Sequence, residues 1–215
     1  MVRIFVDFEW HPTRQFEENY SEIIQFGAVM MNENYEEIDC FVSYVKPELV
    51  KELSWWILDL TKIREEDLQN APLFSEVFEQ FMNWCRKEGN TYEIYSWSEN
   101  DSKQLDDNLY MKNIENTESI DYLFDHWTDY QNVFDEYLGF KKSLKLSTAL
   151  EMTGIQAVGA YHDALSDARN TALLFKYCND ENSREFLDKI RSILNPNDKP
   201  KSTLGDSVDF SKLFQ

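Results

Sequence analysis

Residues 2–10 open the chain with apolar side chains on both faces of an extended segment, Ile4, Phe5, Val6 and Phe8, the pattern of a strand covered from both sides. Residues 22–31 give a second such run. In residues 36–45 Ile38, Cys40, Val42 and Tyr44 alternate with more polar neighbours, as on a half-exposed edge strand. These three segments predict a meander. From residue 72 the period changes: Phe74, Val77, Phe78, Phe81, Trp84 and Cys85 fall at three- and four-residue steps, behind Pro72 and ahead of Gly89, which predicts a helix over 72–88. Residues 91–97 return to strand, and Ser98 and Asn100 can cap a helix carrying Leu105 and Leu109. A further strand is expected near 124–130, short helices near 132–138 and 146–153, and a last helix over 164–177. Consecutive strands followed by alternating strand and helix predict an α/β fold, a mixed sheet covered by helices on both faces.

The 215 residues suit one domain of this kind with a short tail. After Leu194 the composition turns polar, Asn-Pro-Asn-Asp-Lys-Pro-Lys-Ser at 195–202, and reads as a linker. Beyond it Val208, Phe210, Leu213 and Phe214 form either a small docking motif for a protein partner at 208–214 or a frayed end. No apolar run approaches the roughly 18 residues of a membrane span, so no membrane partner is expected. Asp7 interrupts the N-terminal apolar stretch where an export signal would continue it, and the expected location is the cytoplasm. Cys40, Cys85 and Cys178 have no metal-binding spacing and read as buried free thiols.

Charge complicates the choice of function. The net charge of −19 opposes binding to a phosphate backbone, which normally recruits a basic face. The opposition weakens if the substrate is only a few nucleotides long, or if metal ions neutralise an acidic site and a local basic patch does the gripping. Lys141, Lys142 and Lys145 form the one dense basic cluster, a solvated patch or a phosphate contact.

The candidate chemistry is acidic. Asp7 and Glu9, two apart on the first strand, project from one face of an otherwise apolar segment. Burying both needs a cation, and a hard divalent ion is the simplest. Asp101 enters the first turn of the helix after strand 91–97, at the carboxyl end of the sheet where α/β folds place ligands. Glu99 and Asp106 are close enough in sequence to take its role. In Tyr161-His162-Asp163-Ala164-Leu165-Ser166-Asp167-Ala168-Arg169, Asp163 can cap a helix whose Ala164, Ala168 and Ala172 let it lie close on the sheet. Asp167 rides on that helix, and His162 precedes it on a loop. His11 and His126 have no supporting spacing.

Together, Val-Asp-Phe-Glu at 6–9, a middle Asp after a strand, and His-Asp-Ala-Leu-Ser-Asp-Ala-Arg at 162–169 resemble the DnaQ-like exonuclease superfamily in its histidine-bearing DEDDh branch. Residues 22–29, Leu60-Thr61-Lys62-Ile63 and Ala71-Pro72 add to the likeness, which spans roughly residues 1–178. It is nearest to the small-RNA and histone-message trimming exonucleases and the bacterial KapD-like proteins. The resemblance implies an RNase H-like mixed five-stranded sheet and an exonuclease domain over 1–180; beyond it a C-terminal helical extension is expected over 181–194 and a flexible polar tail over 195–215. It also implies two Mg²⁺ or Mn²⁺ ions held by Asp7, Glu9, Asp101 and Asp167, with His162 as general base. The implied reaction is stepwise hydrolysis of a nucleic acid with a free 3′ end, RNA slightly favoured, releasing nucleoside 5′-monophosphates. The terminal nucleotide is then expected against Leu60 and Thr61, with Trp56 as a wall on which a base can stack. Two departures stand out. Trp10 follows Glu9 where a small residue or Thr is common, and can stack on a base or narrow the pocket, and Lys62 stands where Gly is usual. The competing readings are a KapD-like regulator of sporulation signalling that acts through a protein partner, and a metal phosphoesterase acting on small nucleotides.

Overall fold

In the computed structural model, which describes residues 1–13, 20–50 and 52–195, the chain builds a five-stranded mixed sheet. The strands are β1 (Val2–Pro12), β2 (Ser21–Met31), β3 (Glu37–Tyr44), β4 (Tyr92–Ser96) and β5 (Trp127–Asp129), in the order β3-β2-β1-β4-β5. The first three form the expected antiparallel meander, and β4 and β5 add in parallel beside β1. The alternation of β1 sorts two cores. Ile4, Val6 and Phe8 pack with α3 (Phe74–Cys85), α4 (Glu99–Met111) and α5 (Glu118–Asp125). Phe5 faces the other way, toward α6 (Tyr130–Leu138), α7 (Leu146–Thr153) and α8 (Ala164–Cys178).

Three parts differ from the sequence expectation. The strand expected over 124–130 is confined to Trp127–Asp129, because Phe124 belongs to α5, whose start is capped by Thr117 accepting from the Ile120 N–H at 3.3 Å. Two short helices, α1 (Trp55–Thr61) and α2 (Glu65–Gln69), fill a stretch with no predicted element. They cover a third small core of Ile24, Ile57, Ile63 and Leu68. On β3, Ile38 and Val42 of the expected inward stripe are 44% and 52% exposed, while Phe41 on the opposite face packs on Phe81 and Trp84. The strand is contacted on both faces, with Phe41 against α3 and Cys40 against the core that contains α8, so its stripe is only partly covered.

The helix α9 (Glu181–Leu194) docks through buried Leu187, a hydrogen bond from the Tyr137 hydroxyl to Asp188 Oδ1 at 2.8 Å, and Asn195, whose Nδ2 donates to the Leu138 carbonyl at 2.7 Å. The tail beyond Asn195, with the 208–214 motif, lies outside the described residues. Cys85 and Cys178 are buried free thiols, and Cys40 is half-buried. Among the described residues no helix is long and apolar enough to cross a membrane.

Candidate active site

A run of small residues brings the acids together. Gly27 of β2 pairs with Asp7 of β1, and the N-terminus of α8 lies directly on it: a Cβ at position 27 would stand 2.1 Å from the Ala164 carbonyl carbon. Ala164, Ala168 and Ala172, all at most 1% exposed, continue the close approach along the helix. The helix end is also clamped from the strand, since Gln25 Nε2 donates to Asp163 Oδ1 at 3.1 Å and Gln25 Oε1 accepts from the Ala164 N–H at 3.3 Å. Asp163 Oδ2 takes the Ser166 N–H and hydroxyl at 3.1 and 2.6 Å. Both Asp163 oxygens are therefore committed to the helix cap, a structural duty.

Asp167, one turn on, is different. Its Oδ2 accepts the His162 N–H at 2.8 Å, and its buried Oδ1 has no hydrogen-bond partner. His162 itself is exposed, with φ at 64° in the left-handed region, a conformation uncommon outside glycine that is held here by the bond to Asp167. Glu9, His162 and Asp167 each offer a ligand atom, and these atoms lie within 4.8 Å of one another. From the far side comes Asp101. The β1–β4 ladder ends at Val6 and Ser96, and beyond it the Phe8 N–H donates to Asp101 Oδ1 at 3.1 Å while the Ser98 hydroxyl reaches Oδ2 at 3.4 Å. Asp101 is buried in the first turn of α4, whereas Glu99 and Asp106 are exposed. The structure thus gathers the five predicted residues Asp7, Glu9, Asp101, His162 and Asp167 at one end of the sheet.

The electrostatics carry one sign. Burial, then the charges of Asp101, Glu9 and Asp167, holds the Asp7 carboxyl well above the ordinary carboxylate range. Glu9 is pushed up to about 8 by burial and by Asp167 and Asp101. Burial lifts Asp101 to about 7 against the lowering effect of the Phe8 N–H and Ser98. Asp167 is raised by burial and partly relieved by the His162 N–H. Between the ordinary carboxyl range and about pH 8 the folded metal-free protein therefore holds protons that the unfolded chain has released. The cost of the cluster is absent below that window and grows through it, so stability falls as pH rises. Urea midpoints in chelator should drop between pH 5.5 and pH 8, and a midpoint that holds or rises would contradict the burial of these acids.

A cleft of about 800 Å³ opens over the cluster, lined among others by Asp7, Glu9, Trp10, Trp56, Leu60, Lys145, His162 and Asp167. Of the substrate contacts expected from sequence, Thr61, Lys141 and Lys142 do not line it. Thr61 is 6% exposed, and its hydroxyl closes the end of α1, donating to the Ile57 carbonyl at 2.9 Å and accepting from the Ile63 N–H at 3.2 Å. Lys141 and Lys142 are exposed on the adjoining loop. Sequence reasoning passed over His11, which is 4% exposed: its Nε2 accepts the Ser54 N–H at 2.8 Å and its Nδ1 donates to the Pro12 carbonyl at 2.8 Å, tying α1 to β1. It also passed over Tyr161, Trp97 and Gln131, which line the cleft. The position of Tyr161 beside His162 was the only available signal for any of them.

The model of the RNase T exonuclease family matches residues 4–175. The chain belongs to that exonuclease family. Its place is in the DnaQ-like DEDDh superfamily, as the motifs suggested. It is 28% identical over 154 residues to the human 3′-5′ exoribonuclease 1, covering 70% of this chain and 44% of that protein. The chain therefore spans less than half the length of this curated relative. The nuclease domain of 3′hExo, a DEDDh family member solved with rAMP bound, superposes with a TM-score of 0.73 at 25% identity, over 82% of this chain and 90% of that one. DEDDh exonucleases generally use divalent metals. Pop2p of S. pombe, which shares the fold with a TM-score of 0.61 at 18% identity over 89% of this chain and 87% of that one, has been solved with Mg²⁺ and Mn²⁺ bound.

Proposed function

We propose that the chain is a 3′-to-5′ exonuclease that releases nucleoside 5′-monophosphates from single-stranded or short nucleic acid, RNA being favoured over DNA. The observation that supports this most is the convergence of four carboxylates, Glu9, Asp101 and Asp167 buried and Asp7 half-buried, none of them paired with a lysine or arginine among the described residues, and with Asp167 Oδ1 left without a hydrogen-bond partner. Such a set fits hard divalent cations. Two Mg²⁺ or Mn²⁺ would be held by Asp7, Glu9, Asp101 and Asp167. Bound there, the cations supply Lewis-acid stabilisation of the phosphate and of the departing oxygen.

The chain's own residues do the rest. His162, exposed at the cleft mouth beside Glu9 and Asp167, accepts a proton from the attacking water as the new bond to phosphorus forms and the bond to the 3′-oxygen breaks. The Asp167 carboxylate holds the His162 backbone in its left-handed turn and so fixes where the ring can swing. Trp56 and Leu60 give the terminal base an apolar wall, a contact of roughly 1–3 kcal/mol. His162→Asn should lower kcat by about 10² to 10⁴ while the thermal shift produced by Mn²⁺ is kept. Full activity of that variant would remove His162 from the mechanism.

Linear and circular forms of one single-stranded oligonucleotide, incubated with Mn²⁺, test the assignment. Degradation of the linear form alone is expected. Cutting of the circle would make the protein an endonuclease, turnover of mononucleotides only would favour the phosphoesterase, and no cleavage would favour a regulator of this fold.

A further inference from the structure

The charge of the chain and the shape of the cleft together say how a strand is held. The chain has 40 acidic and 21 basic residues, and Lys62, Lys87, Lys112, Lys189, Arg64 and Arg169 each pair with a carboxylate. Lys141, Lys142 and Lys145 are exposed and, among the described residues, take part in no ion pair. What sets these three apart is their density in an acidic chain and their place, with Lys145 on the cleft that holds Asp7, Glu9 and Asp167.

The loop that carries them is held at its centre. The Leu144 N–H donates to Asp135 Oδ2 at 3.2 Å, and the Leu144 carbonyl accepts from Trp97 Nε1 at 3.1 Å and from Gln131 Nε2. Asp135 is 6% exposed, and Leu146, just past the loop, is buried. The lysines thus project from a fixed ridge, which lowers the ordering cost of gripping a ligand. One end of the ridge, Ser143 and Lys145, lines the same cleft as Asp7, Glu9, His162 and Asp167.

We propose that the 140–145 loop is the track for the phosphates 5′ of the scissile bond, with Lys145 nearest the acids and Lys142 and Lys141 farther out. This rests on the exonuclease reading and adds the path and extent of the substrate to it. Protein cations then hold only about three phosphates, and the surrounding negative charge gives nothing to a longer strand. The ligand is a short single-stranded oligonucleotide, or the last few nucleotides of a longer one.

Anisotropy of 5′-fluorescein oligonucleotides of two to twelve nucleotides, bound to the full chain carrying Asp167→Asn to suppress cleavage, tests the track. Affinity should rise up to four or five nucleotides and then level off. The logarithm of affinity should fall against the logarithm of salt with a slope of about −2, from three single-strand contacts. The combined K141Q, K142Q and K145Q variant should bind the longer oligonucleotides roughly 10- to 100-fold more weakly at low salt, with a slope near zero. Lys189→Gln, on α9 and paired with Glu185, should stay within twofold. An unchanged slope in the triple variant, no binding at all, or affinity still climbing at twelve nucleotides would overturn the track. Cleavage by the unsubstituted protein is scored separately: if it trims 3′ ends while binding ignores the lysines, only the track fails, and if it trims nothing the exonuclease reading fails.

Discussion

Asp167→Asn is expected to reduce cleavage by at least about 10³-fold and at the same time to raise the melting temperature of the metal-free protein. The two effects share one cause. Asp167 adds a negative charge to a set that already holds Asp7, Glu9 and Asp101, and with Oδ1 lacking a hydrogen-bond partner the lowering effects of His162 and Asn170 offset its burial only in part. Asn keeps an oxygen able to accept the His162 N–H, so the turn before α8 survives. Removing one charge from such a cluster at pH 8 should gain about 2 kcal/mol, or roughly 4–8 °C for a domain of this size. Saturating Mn²⁺ should reverse the order, because a cation that binds only the folded state stabilises the unsubstituted protein more. Paired thermal melts with chelator and with Mn²⁺ check this. A variant less stable than the parent in chelator would show that Asp167 belongs to the structural framework, not to a cation site.

Gly27→Ala is expected to damage activity as well, although it adds only a methyl group and no chemistry of its own. That methyl would stand 2.1 Å from the Ala164 carbonyl carbon and 2.2 Å from the Leu165 nitrogen. Both are backbone, so the helix N-terminus has to lift off the sheet. With it would move His162, Asp163 and Asp167, and the Gln25 clamp would stretch. Overpacking of this kind costs about 1–3 kcal/mol, and a displacement of about 1 Å in a catalytic group costs on the order of 10² in rate. Urea unfolding and kcat on a short oligonucleotide check both parts. A stable variant with ordinary kcat would mean that the approach of α8 to β2 does not set the site.

Much of this was legible in the sequence because each part had a local signature. The doubly apolar run of β1 with two acids on one face, the alanine stripe of α8 and the acid just inside the α4 cap are patterns of spacing, and spacing survives without coordinates. What could not be read depends on partners distant in sequence. Thr61 looks like a pocket residue until α1 is seen to end there and to use its hydroxyl internally. His11 lacks any motif because its partner is a backbone N–H 43 residues away. Gln25 and Gly27 belong to an ordinary strand pattern, and only the arrival of α8 gives them a task. The seven-residue α1 and five-residue α2 are too short for a helical period to emerge, and the exposure of Ile38 and Val42 on β3 depends on where α3 and α8, distant in sequence, come to lie.

Four of the 40 acidic residues gather at the site and a basic cluster stands at the edge of its cleft, so the local arrangement of charge, not the net −19, meets the substrate. Degradation of one single-stranded RNA carrying its label at either the 5′ or the 3′ end, in Mn²⁺, tests the central claim most directly. The account predicts a 5′-labelled ladder that shortens by single nucleotides and immediate release of labelled mononucleotide from the 3′-labelled strand, both lost in Asp167→Asn. Release of the 5′ label first, or cleavage that persists in Asp167→Asn, would contradict it.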